Sequence, residues 1–409
     1  MSAVGRLRRA LVVTHRWLGI AGGLLFVMWF ATGIVMMYAR MPELDARERL
    51  ARLEPLDLST VGVSPAAAAA RAGAPDAEGA RIAMLAGRPV YRFGTRTVWA
   101  DTGEPLGSLG KEAALSVVGA AWPERAGTLR PEGLLEAPNQ WTLQNRADLP
   151  LHRIALGDPN DTRVYVSDRS GEIVMEATAR ERRWAYAGAV LHWIYFTPLR
   201  AHSGLWAQLI IWLSVAGCVL ALSGLAWGLW SWWPRRRAGS PYGGLLGWHH
   251  YAGLLFGLFS FTWILSGLLS MDPWSWHPGT AATAAQREAV AGPRAGAVEV
   301  ERLRAAAPAL AASGFAPREA LLVRFRGEPY LAATGATPDA RRLVSLAEPE
   351  HGPFARFADA DLLEAAARAM PASAIVEARR LDAYDAYYYD RSGLLPLPVL
   401  RVRYDDPPR

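Results

Sequence analysis

Residues 15–38, HRWLGIAGGLLFVMWFATGIVMMY, decide how this chain is read. From Trp17 to Tyr38 no side chain carries a charge. About 20 apolar residues at 1.5 Å rise are enough to cross a hydrocarbon core of roughly 30 Å. Two further runs, Leu205–Trp232 and Ala252–Met271, have the same character. The first run is longer than the 7–15-residue apolar stretch of a secretory signal, and no small-x-small cleavage site follows in Met36–Met41. It is expected to stay in place as an anchor.

The whole chain has 409 residues, 51% of them hydrophobic, yet its mean hydropathy is only +0.07. A compact bundle of membrane helices would be more apolar and a soluble protein less so, so both kinds of segment are expected. The formal net charge of +6 comes with arginines clustered beside the hydrophobic runs. That distribution points to membrane topology and away from nucleic-acid binding. Arg6, Arg8 and Arg9 precede the first run, and Arg235-Arg236-Arg237 follow the second. The positive-inside rule puts both clusters in the cytoplasm of a bacterial inner membrane, with residues from about 40 to 190 and from about 273 onward on the periplasmic side. Trp17, Trp206, Trp230, Trp232, Trp233, Trp274 and Trp276 crowd the ends of the runs, as headgroup-level anchors do.

His15–Met37 and His249–Met271 align without a gap. In that register Gly19 meets Gly253, Gly23 meets Gly257, Leu24 meets Leu258, Trp29 meets Trp263, Gly33 meets Gly267 and Met37 meets Met271, with Thr32 opposite Ser266. Shared packing rules explain glycines four apart. A matched Trp and His point instead to duplication of one parallel helix. The soluble portions repeat more loosely. Lys111–Trp122 reads as a helix, with strand-like residues at Trp141-Thr142-Leu143 and Arg163–Ser167 and a turn at Asp168–Val174. Later, a helix at Asp359–Met370 precedes Tyr387-Tyr388-Tyr389, Leu395-Pro396-Leu397 and Arg401–Tyr404, up to Asp405-Asp406-Pro407. Since the first copy continues into a histidine and a spanning helix, a fourth such helix is expected beyond Arg409.

Four stretches carry a family resemblance. They are Thr14-His15-Arg16-Trp17-Leu18-Gly19; Tyr165-Val166 with Ser170-Gly171-Glu172-Ile173-Val174; Leu191-His192-Trp193; and His249-His250-Tyr251-Ala252-Gly253. With them the sequence resembles the PepSY-associated transmembrane helix family over nearly its whole length. The first copy reads Ser-Asp-Arg-Ser-Gly-Glu where that family usually has an Asp-x-x-Thr-Gly-Glu turn. The resemblance implies a membrane α-helical bundle with periplasmic α+β PepSY-like domains. Laid on the chain, this gives a cytoplasmic N-terminus (1–16), a first spanning helix (17–38) and a first PepSY-like domain (39–190). A periplasmic-edge segment with the second spanning helix (191–233), a cytoplasmic loop (234–248), the third spanning helix (249–272) and an incomplete second PepSY-like domain (273–409) follow. Some relatives are similar to ferric-siderophore reductases, b-type haem proteins that carry electrons across the membrane. Others are thought to regulate peptidases.

Duplication puts His15 and His249 at equal depth, so that two imidazoles face each other across a space a haem iron can fill. Bis-imidazole ligation suits electron transfer. Gly19, Gly22, Gly23, Gly253 and Gly257 would leave room for the macrocycle; the alternative is interfacial histidines with glycines for packing. His250 lies about 100° round the helix from His249, so one of the two reaches the iron. His192 and His202 flank Pro198, and either is a candidate ligand for a second haem, whose other ligand would lie in the expected fourth helix. His152, His277 and His351 read as ordinary surface residues. Because Cys218 is the sole cysteine, no CxxCH attachment exists and any haem is held non-covalently. No P-loop or GxGxxG fingerprint sits at a strand-to-helix junction, so no NAD or flavin site is expected. Two functions follow: a haem b carrier passing electrons from a quinone or other donor to a periplasmic acceptor such as a ferric siderophore, or a non-catalytic membrane regulator of a periplasmic peptidase or other partner. A transporter fits less well, since the spanning runs lack acidic residues.

Overall fold

The computed structural model describes residues 2–74, 78–235, 239–275, 281–293 and 296–405. Arg236, Arg237, Trp276, His277, Asp406 and Pro407 fall outside them. The chain divides into two compact units, residues 1–41 with 180–279 and residues 42–179 with 280–409.

Among the described residues, the first unit holds three helices long and apolar enough to cross a membrane: Ala3–Met36, Ser203–Trp232 and Gly244–Ser270. At 1.5 Å per residue they are roughly 40–50 Å long, beyond the ~30 Å core. The first begins well before Trp17, because the Ser2 side chain caps Gly5 N and nothing between them breaks a helix. Residues 3–16, ahead of the apolar run, are its first turns. The second helix packs on both others, and Ile211, Cys218 and Leu268 close an apolar contact with Ile264 and Phe261. Leu24 and Leu245 point outward, more than 80% exposed, as lipid-facing side chains would.

The second unit is α+β. Its twelve strands, among the described residues, are β1 (Arg81–Leu85), β2 (Arg88–Phe93), β3 (Arg96–Trp99), β4 (Arg130–Leu135), β5 (Leu151–Ala155), β6 (Arg163–Ser167), β7 (Ile173–Ala177), β8 (Glu319–Phe325), β9 (Glu328–Thr334), β10 (Arg341–Ser345), β11 (Ile375–Leu381) and β12 (Val399–Tyr404). They form a six-stranded sheet in the order β10-β9-β8-β1-β2-β3, a four-stranded sheet β4-β5-β6-β7 and the pair β11-β12. The six-stranded sheet corrects the expectation of two separate soluble domains. β1 pairs antiparallel with β8 in the register Ile82↔Ala320, so segments on either side of two long helices build one sheet. The cause is burial. β1 is buried from Ile82 to Leu85, and Ile82, Tyr91 and Val98 share a core with Leu303, Leu310, Leu322 and Leu331 from the later segment.

Two smaller expectations also change. Trp141-Thr142-Leu143 is not a strand. The Asn139 side chain accepts from Trp141 N at 2.9 Å and Thr142 N at 3.2 Å, a side-chain turn that competes with ladder pairing. His152 is not a surface residue: it lies on β5, 8% exposed, with Nε2 2.7 Å from Asp168 Oδ1. Period-two alternation puts it inward, and the carboxylate satisfies it there.

Candidate functional site

Two apolar cavities lie among the described residues of the first unit. The larger, about 720 Å³, is lined by His15, His249 and His250, with Arg16 also on its wall. Glycines make much of the remaining surface: Gly19 and Gly23 on the first helix, Gly217, Gly224 and Gly228 on the second, Gly253 and Gly257 on the third. A Cβ added at Gly23 or Gly253 would meet nothing within 4 Å. These two bare backbones therefore border open space, whereas Gly217 is filled by Phe26, which a Cβ would approach to 2.7 Å.

The His15 and His249 rings are brought together, with centroids 6.0 Å apart and planes tilted by 36°. Two imidazoles on opposite sides of one metal ion, each with a metal–nitrogen bond of about 2 Å and about 1.2 Å from nitrogen to ring centre, would stand roughly 6.4 Å apart. The observed spacing is close to that. His15 Nδ1 lies 3.0 Å from the Leu220 carbonyl. A carbonyl only accepts, so Nδ1 carries the proton and Nε2 keeps its lone pair. Metal-bound histidines are commonly oriented by this second contact. His249 has no hydrogen-bond partner among the described residues, and its ring is open at both nitrogens.

His250, its neighbour in sequence, is spent elsewhere. Nε2 lies 3.0 Å from Gly228 O, and Nδ1 lies 2.8 Å from Ser240 Oγ. With the Nε2 proton given to the carbonyl, Nδ1 accepts from the serine. Both nitrogens of the buried ring are thus taken.

The second cavity, about 470 Å³, is lined by His192 together with Trp29, Trp206 and Trp263. A π-helical turn at Tyr186–Val190 leads to His192. Gly188 permits close packing there, since its Cβ would stand 3.3–3.4 Å from Val35, Met36 and Ala39 of the first-helix region. His192 Nδ1 lies 3.0 Å from Trp29 O and 3.2 Å from Thr32 Oγ1. The carbonyl fixes the proton on Nδ1, as at His15, and leaves Nε2 open. His202 does not line this cavity; its exposed ring turns back on Pro198 O at 3.2 Å. Among the described residues the second cavity has one imidazole. Phe26, Phe30 and Ile264 line both cavities and stand between them.

Sequence inspection passed over Gly224. A Cβ there would come within 2.4 Å of His15 Cε1, so only glycine lets the ring lie flat on the second helix and reach the Leu220 carbonyl. Gly33 is a milder case: a Cβ there would stand 3.2 Å from His192 Cε1, a tight contact that a shift of a few tenths of an ångström relieves. The available signal was the spacing of Gly217, Gly224 and Gly228, seven and then four residues apart, which puts them on one helix face.

In the second unit, the Ser170-Gly171-Glu172 turn has a chemical task. Gly171 has φ +68°, and its bare Cα lets the turn press on Leu85, whose side chain a Cβ would meet at 2.6 Å. Glu172 is thereby delivered beside Arg81, at 2.6 Å, and Arg92, at 3.6 Å. Burial would raise its pKa, but Arg92, Arg81 and Arg49 outweigh that and hold the carboxyl below its ordinary range.

A family model described as PepSY-associated TM region matches residues 12–375. No curated protein and no solved structure matches the chain.

Proposed function

We propose a haem-bearing electron carrier, from the premise that this chain belongs to the PepSY-associated TM region family. The observation that carries the proposal is the pair His15 and His249, 6.0 Å apart across a glycine-walled cavity, with His15 held in the tautomer that offers Nε2. The donor set fits haem b. Two imidazoles are offered, the sole cysteine, Cys218, belongs to no CxxCH attachment motif, and the volume lies within the roughly 300–1,000 Å³ of ligand sites. Haem held by His15 and His249 would supply reversible one-electron chemistry.

The chain's own residues have separable tasks. His15 and His249 would ligate, and the Leu220 carbonyl keeps the His15 ring from turning. Arg16 would pair with the carboxylates of the macrocycle. Gly23 and Gly253 leave the wall bare, and Phe26 and Phe30 exclude water from the inner end. His192 would serve a second haem in the neighbouring cavity.

We place the N-terminus in the cytoplasm, on Arg6, Arg8 and Arg9, and the α+β unit in the periplasm of a bacterial inner membrane, with the third long helix a duplicate of the first. The shared sheet supports this arrangement. β1 and β8 must lie on the same side of the bilayer to pair, which two crossings between them allow. The donor would be a quinone or a cytoplasmic reductant, and the acceptor a periplasmic ferric chelate such as a siderophore.

The test is a dithionite-reduced minus oxidised spectrum of the purified protein in detergent. A b-type α band and Soret shift are expected. Their absence from protein made with ample haem would reject the proposal and favour a chromophore-free regulator whose α+β unit binds a periplasmic partner.

A further inference from the structure

The α+β unit contains a second candidate site, independent of the haem proposal. It is an arginine-rich cleft in which one guanidinium is buried with donors to spare. Arg92 on β2 is 3% exposed, and its Nε and Nη1 have no hydrogen-bond partner among the described residues. It faces Arg81 directly across the β1–β2 ladder, a like-charge pair that is unfavourable alone.

The nearby carboxylates are already engaged. Glu319 takes a two-pronged contact from Arg49, at 2.7 and 2.6 Å. Glu172 takes Arg81 at 2.6 Å and stands 3.6 Å from Arg92 Nη1, beyond hydrogen-bonding distance. Glu54 accepts from Gly87 N at 2.9 Å. Arg52, whose Nε is likewise unbonded, lies flat on Trp122 at 4.3 Å. Three guanidinium groups, those of Arg49, Arg52 and Arg92, line the cleft with two carboxylates, those of Glu54 and Glu172; Arg81, Glu319 and Asp148 stand outside its lining. The lining carries one more guanidinium than carboxylate, and Arg92 Nε and Nη1, buried with no acceptor within hydrogen-bonding distance, are costly to leave so.

Arg49, Arg52 and Arg92 converge on a cleft of about 40 Å³ whose other wall includes Leu85, Val117 and Ala121. On the same measure a water needs about 10–15 Å³, so the cleft takes three or four non-hydrogen atoms. A tetrahedral phosphate, with five, is too large and carries too much charge. A flat carboxylate has the right size, its charge cancels the excess, and its two oxygens match the guanidinium fork. We propose that this cleft binds one planar, singly charged oxyanion, a short carboxylate or bicarbonate, against the Arg92 guanidinium.

The experiment is calorimetric titration of the full chain in detergent with formate, acetate, bicarbonate and inorganic phosphate, at ionic strength fixed with chloride. Thermal unfolding would be followed in parallel. At least one planar anion is expected to bind with 1:1 stoichiometry and to raise Tm by about 3–5 °C per tenfold concentration above its Kd. Phosphate is expected to give neither heat nor shift. The three planar arms separate a carboxylate site from a bicarbonate site. Arg92→Met should abolish the response. Should that variant fail to fold, Ala121→Phe, which fills the cleft and leaves every charge in place, should abolish it equally. Silence from all three planar anions would mean that water satisfies Arg92, and would overturn the proposal. So would phosphate binding as tightly as the planar anions, or a response unchanged in Ala121→Phe.

Discussion

Gly23→Ala and Gly253→Ala separate an empty cavity from one built around a flat ligand. Each new methyl would project into space where no protein atom lies within 4 Å, in the cavity shared with His15 and His249. For the protein alone both changes are therefore free of clash, and alanine's helix propensity favours them by about 0.8–1.0 kcal/mol in soluble hosts. A macrocycle lying on these backbones at van der Waals contact, about 3.5–4.0 Å, would be met by a methyl reaching about 1.5 Å towards it. Overpacking of that kind costs about 1–3 kcal/mol, or about 5- to 150-fold in haem affinity. The assay is haem-to-protein ratio by pyridine haemochrome during stepwise haem extraction, with Tm measured on haem-free and haem-loaded samples. Expected are haem-free variants at least as stable as the parent and loaded variants that lose haem sooner. Gly224→Ala is the contrast, because its Cβ runs into the His15 ring at 2.4 Å and should disturb loaded and haem-free protein alike. If Gly23→Ala and Gly253→Ala both retain haem like the parent, no flat ligand rests on that wall.

Four further outcomes are expected. His15→Ala and His249→Ala should each remove the same absorption band, while His250→Ala, whose ring nitrogens are taken by Gly228 and Ser240, should keep it; loss of the band only in His250→Ala would reassign the ligand. Burial pushes the Asp168 carboxyl up, but hydrogen bonds from His152, Gly110 and Ser108 outweigh it and leave the group below its usual range. Its contribution is then present above the unfolded carboxylate pKa of about 3.9 and lost as pH falls through the lower folded value, so Asp168→Asn should flatten acid unfolding below about pH 5, and an unchanged profile would count against the pair. Gly171→Ala meets both Leu85 at 2.6 Å and a φ of +68°; a loss of about 1–3 kcal/mol is expected in denaturant unfolding, and an unaltered midpoint would contradict the close approach. Cysteines placed at Ile82 and Ala320, opposite each other in the β1–β8 register, should cross-link on oxidation and hold proteolytic fragments of the two segments together; failure to link would disprove the common sheet.

The three long helices were legible because an uncharged apolar run of over 20 residues matches the thickness of a bilayer and exceeds what a soluble core asks of one helix. So was the juxtaposition of His15 with His249, which the gapless register suggested and the 6.0 Å spacing shows. What orients those rings was not legible. The Leu220 carbonyl carries no sequence signature, and Gly224 belongs to a helix outside the aligned pair. The soluble sheet was missed for a similar reason. Strand patterns reveal which residues face inward, but not that β1 finds its neighbour in β8, since pairing across two intervening helices is set by the shared core of Ile82 and Leu322. His152 was misjudged because a lone histidine reads as exposed until its carboxylate partner, sixteen residues on, is brought alongside by the β5–β6 ladder.

The β1–β8 pairing also imposes a schedule on biosynthesis. Ile82 and Ala320 are 238 positions apart, and at about 5–20 residues per second the ribosome needs roughly 10–50 s to deliver the second after the first. Through that interval β1 waits with one edge unpaired and its apolar face uncovered, an invitation to stray strands. Loss of the later segment would extend that wait indefinitely. Mutations far from either cavity would then show up as aggregation and clearance of newly made chains.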